Sequence, residues 1–82
     1  MFYVALGSNA AMISKSKKYA IAVQDKYFRN PLPLKKFTDF KEAEAEVLYH
    51  LGEILPLDIQ PPTSVQVDIA IFAGQLVRAQ RK

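Results

Sequence analysis

Phe2-Tyr3-Val4-Ala5-Leu6-Gly7-Ser8-Asn9-Ala10-Ala11-Met12-Ile13 is the stretch on which the fold turns. Its first five residues are β-branched, aromatic or aliphatic, and they stop at the turn cluster Gly7-Ser8-Asn9. A second apolar run follows at once, so a β-hairpin is the economical reading. Side chains alternate along a strand, which puts Phe2, Val4 and Leu6 on one face and Tyr3 and Ala5 on the other.

Beyond the hairpin, Ser14 or Ser16 offers a hydroxyl to cap a helix, because it satisfies a free first-turn amide. From Lys17 to Phe28 the apolar residues Ala20, Val23 and Tyr27 recur at helical spacing. Asn30-Pro31 ends that helix, since proline removes a donor and restricts the residue before it. Residues 33–37 are short and strand-like, with Leu34 separated from Phe37 by the pair Lys35-Lys36. Asp39, with Glu42 three residues on, then opens a second helix as a capping box. Phe40, Ala43, Val47, Leu51 and Ile54 form one stripe on it, and the helix ends at Gly52 or at Leu55 before Pro56. Glu42, Glu44 and Glu46 lie in its N-terminal half, where the helix dipole favours negative charge.

A stiff, proline-rich connection covers residues 56–63. Ser64 to Phe72 then alternates, with Val65, Val67, Ile69 and Ile71 on one side and Gln66, Asp68 and Ala70 on the other, the pattern of a strand with one buried face. Gly74 breaks it. The expected fold is therefore α+β, in the order β-β-α-β-α-β: a small, mostly antiparallel sheet with two helices packed on it. Residues 1–74 make one domain and residues 75–82 a basic tail, with the 65–72 strand at a sheet edge or paired with another chain.

The 82 residues allow one domain with a thin core, and half of them are hydrophobic against 23% charged, the balance of a globular protein. The absence of cysteine excludes a disulfide scaffold and a thiolate metal site. Apolar runs are too short to span a bilayer, and the N-terminus lacks the basic-then-apolar order of a signal peptide, so a cytoplasmic location is expected.

The net charge of +3 hides a segregation. Residues 15–41 hold Lys15, Lys17, Lys18, Lys26, Arg29, Lys35, Lys36 and Lys41 against Asp25 and Asp39. Residues 42–74 hold Glu42, Glu44, Glu46, Glu53, Asp58 and Asp68 with no base. Arg78, Arg81 and Lys82 close the chain. Such a layout speaks of field and partners, and the basic third is suited to a polyanion.

Catalysis finds little support. His50 lies beside Val47 and Ile54 at the edge of a helix stripe, as a half-buried histidine with one hydrogen bond. Glu42 and Glu46 share a helix face but point outward, so no metal and no cofactor are expected. Asp68 stands alone in its strand as a solvent-facing residue, and Gly7-Ser8-Asn9 lacks the spacing and lysine of a phosphate loop. The stronger feature is Lys35-Lys36-Phe37, an aromatic beside lysines, which suits a backbone-and-sugar contact or a stacking platform.

The order of these motifs resembles the small N-terminal hybrid-binding domain of eukaryotic ribonuclease H, shared with caulimovirus viroplasmin. The matching residues are Phe2-Tyr3, Ala22-Val23, and Leu34-Lys35-Lys36-Phe37-Thr38 leading into Glu42-Ala43, within residues 1–51. The resemblance implies a three-stranded antiparallel sheet between two helices that binds RNA–DNA hybrid or double-stranded RNA without catalysis, with Lys35, Lys36 and Phe37 near the backbone. The family's tryptophan falls at Ser16, and the 65–72 strand has no counterpart there.

The expected function is a non-catalytic nucleic-acid-binding module using Lys15, Lys17, Lys18, Lys26, Arg29, Lys35, Lys36 and Phe37. Its rival is a small protein-interaction or inhibitor module, viral or mobile-element derived. That module would dock, or form a homodimer, through the 65–72 strand or the acidic helix.

Overall fold

The structure, a computed structural model, describes residues 1–78. The hairpin forms as expected: β1 (Phe2–Leu6) pairs antiparallel with β2 (Ala10–Ser14), Tyr3 opposite Ser14 and Leu6 opposite Ala11. Helix α1 spans Lys17–Tyr27, and its cap is Ser16, whose Oγ accepts from the Tyr19 amide at 3.1 Å. Strand β3 is Lys35–Phe37 and pairs with the outer side of β1, Phe37 against Phe2 and Lys36 against Tyr3. Helix α2 runs through Gly52, from Phe40 to Ile54, capped by Asp39.

The α+β class holds, and the sheet lies between the two helices. Helix α2 covers the face that carries Val4, Leu6, Ala11 and Ile13, with Ala43, Val47 and Leu51 buried against them. Helix α1 covers the opposite face, where Ala5, Ala10 and Met12 meet Ala20 and Val23. Both faces of the hairpin are thus dry, which explains why its sequence carries no charge.

The C-terminal third departs from expectation in three ways. Only Ile69–Phe72 forms a strand, β4, because Asp68 takes a left-handed conformation (φ 65°) that ends the extended run before Val67. Val65, outside the strand, is still buried with Ile71.

Secondly, the first four residues of the expected tail, 75–78, are part of the sheet. Gln75–Arg78 forms a strand, β5, after a two-residue turn in which Ala73 (φ 48°) and Gly74 (φ 87°) both have positive φ, the pattern of a type I′ hairpin. Residues 79–82, with Arg81 and Lys82, lie outside the described residues.

Thirdly, the expected edge or dimer-forming role of the 65–72 strand is corrected: β4 is hydrogen-bonded to β2 on one side and to β5 on the other. The strand order is β3-β1-β2-β4-β5, so the edges are β3 and β5.

The proline-rich connection between α2 and β4 lies over the α2 side of this extension. Ile59 rests against Gly74, where an added Cβ would stand 2.9 Å from its Cγ2. Val65 donates its amide to Glu44 Oε2 at 2.9 Å, so Glu44 ties the connection to α2 as well as stabilising the helix start. On the α1 side no such cover over β5 is found among the described residues, and Val77 is 43% exposed.

Candidate nucleic-acid interface

Both helices start at one end of the sheet. Helix α1 follows Ser14 through Lys15 and Ser16, and α2 follows Phe37, which pairs with the first residue of β1. Tyr3 sits between Ser14 and Lys36 in one row across three strands, all three side chains on the α1 face by register. Lys17 and Lys18 open α1 at the same end, exposed, with no acidic residue in the first turn. Tyr3 and Tyr19 fill the space between, packed at the margin of the α1-side core and partly exposed. Lys15 turns to the other side, its Nζ 6.0 Å from the Phe2 ring centroid.

Local chemistry fixes this end. The Ser14 hydroxyl donates to Asp68 Oδ1 at 2.5 Å and accepts from the Ser16 amide at 3.0 Å. One fully buried serine therefore joins the start of β4 to the cap of α1. Asp68 is partly buried in this bond, and its expected solvent-facing role is corrected; its left-handed backbone brings the carboxylate back under Ser14.

The sequence-predicted site residues divide. Lys15, Lys17, Lys18 and Lys36 gather at the end where both helices begin. Lys26 and Arg29 lie at the other end, beside the β1–β2 turn, where the Arg29 amide donates to Asn9 Oδ1 at 2.8 Å and its carbonyl accepts from the Ser8 amide at 2.7 Å. Nine residues of helix, roughly 14 Å, separate Lys26 from Lys17. Lys35 projects to the α2 face and forms an ion pair with Glu46. Phe37 shares that face and packs partly buried against the α2-side core, near Phe2 and Phe40, whose own rings meet edge to face at 5.5 Å.

The aromatics beside Lys17, Lys18 and Lys36 are thus Tyr3 and Tyr19. Alternation along β1 places Tyr3 on the face opposite Phe2, whereas its neighbour Lys36 is set by the register of β3. Lys35-Lys36-Phe37 looks like one motif in sequence, and the pleat divides it between two faces.

His50, half-buried as expected, has Nε2 2.5 Å from the Gly7 carbonyl and links α2 to the β1–β2 turn. Gly7 itself has no room for a side chain, since an added Cβ would stand 2.9 Å from the Arg29 carbonyl. Among the described residues no three His, Asp or Glu side chains converge on a point where a metal would sit, and no helix is long and apolar enough to cross a membrane.

No family model, no curated protein and no solved structure matches this chain.

Proposed function

We propose that the protein is a non-catalytic nucleic-acid-binding module that grips a duplex backbone at the end where its helices begin. The observation that carries this reading is the placement of Lys17 and Lys18 in the first turn of α1, at the same end of the sheet as Lys36 and with no acid in that turn. A helix N-terminus already carries about half a positive charge, so cations there oppose the fold and favour a bound anion. Tyr3 and Tyr19 between the lysines supply flat surface for a sugar or base. The resemblance to hybrid-binding domains makes RNA–DNA hybrid the first ligand to test and double-stranded RNA the second.

Lys15, Lys17, Lys18 and Lys36 are the contacts, while Lys26 and Arg29 sit too far away to join them on a short site. Each phosphate contact steepens the salt dependence by about 0.7–0.9, so four contacts give a log–log slope of about −3. Fluorescence anisotropy with a labelled short RNA–DNA hybrid, between about 50 and 200 mM salt, measures that slope. Lys36→Gln should flatten it by nearly one unit and Lys26→Gln should leave it unchanged. Absence of binding at the lowest salt, or equal effects of the two substitutions, overturns the reading.

A further inference from the structure

We propose that β5 is a self-association edge, through which two copies of this chain pair antiparallel and continue one sheet across a two-fold axis. The two edges of the sheet are unlike. Strand β3 is three residues long, preceded by Pro31 and Pro33, and two of its three residues are lysines, which is how natural sheets blunt an edge. Strand β5 has no proline, a single charge in Arg78, and apolar residues exposed on both of its faces, Leu76 at 58% and Val77 at 43%. With one edge blunted and the other open, pairing closes at two copies.

Register follows from the turn. In a two-residue hairpin the flanking residues, here Phe72 and Gln75, share ladder bonds, so the next pair, Ile71 and Leu76, turns the backbone groups of Leu76 outward. Leu76 is therefore the residue that meets its own copy on the two-fold axis, with Gln75 opposite Val77. Arg78 then faces Gly74 of the second copy. Ile59 rests on Gly74 and Asp58 precedes it in the chain, so the turn that Arg78 faces has one acid in the adjoining loop. Shifting the register by two residues sets Arg78 on Leu76 and brings the two arginines closer, which disfavours it. A second copy thus matches this edge in both apolar residues and charge.

The contact is small against the roughly 800 Å² per partner of a stable complex, so the dimer is weak and concentration-dependent. Light scattering and sedimentation of the full chain across a concentration series test it. The expected mass rises from 9.2 kDa toward twice that value and no further.

Leu76→Pro removes the outward amide while leaving the ladder to β4 intact, and should hold the protein at monomer mass with an unchanged far-UV circular dichroism spectrum. Arg78→Asp should shift the association midpoint to at least about tenfold higher concentration, the size of one close charge pair reversed. Adding Asp58→Arg to that variant should restore it. A monomer at every concentration, growth beyond two copies, or a folded Leu76→Pro protein that still dimerises overturns the proposal. Failure of the charge swap to rescue overturns the register.

Discussion

Lys17 and Lys18 stand where an isolated helix would place acids. Cations in a first turn cost about 0.3–1 kcal/mol each at low ionic strength, so their position is a local conflict with folding. Replacing both with glutamate should therefore move two properties in opposite directions. Urea unfolding should show a gain of roughly 0.5–2 kcal/mol, and anisotropy should show loss of nucleic-acid binding. Stability and affinity falling together would contradict the assignment. Ser14 is the second residue with a definite outcome. It is fully buried and joins Asp68 to the Ser16 amide, so Ser14→Ala should cost about 1–3 kcal/mol in the same unfolding measurement. At this scale the sequence was legible where local rules decide: Ser16 and Asp39 cap their helices, and His50 has its one polar contact. Asp68 was not legible, because its bond to Ser14 joins residues 54 positions apart.

Among the elements, the hairpin, both helices and the short β3 follow from period, caps and punctuation. The β4–β5 hairpin does not. Ala73-Gly74 is a weaker turn signal than Asn-Gly, and Gln75 to Arg78 has too few apolar residues to show alternation. The clean period of Val65 to Ile71 extended the strand too far, since periodicity is blind to one left-handed residue. Two glycines test these assignments. Gly74 has φ 87° and an added Cβ would press on Ile59, so Gly74→Val should lower stability by at least about 1–2 kcal/mol. Gly52 lies inside α2 with open space around it, so Gly52→Ala should raise stability by roughly 0.5–1 kcal/mol. Thermal unfolding of the two variants reads both signs.

For the whole molecule, a sheet buried between two helices sorts the charges that the linear sequence merely groups. The eight bases of residues 15–41 form one block in sequence, yet α1 carries them from one end of the sheet to the other and β3 splits its lysine pair between faces. Composition and spacing contain neither fact, because both depend on the path of the chain through space. What remains is a group of four lysines at one end with two tyrosines, ion pairs of Lys35 with Glu46 and of Lys41 with Glu44, and Lys26 and Arg29 beside the opposite turn. The direct test is amide chemical-shift mapping during titration with a short RNA–DNA hybrid. Shifts should be confined to Tyr3, Lys15 to Tyr19 and Lys36, with Lys26 to Asn30 unmoved. Shifts centred on Lys26 and Arg29, or none at all under low salt, would contradict the proposed interface.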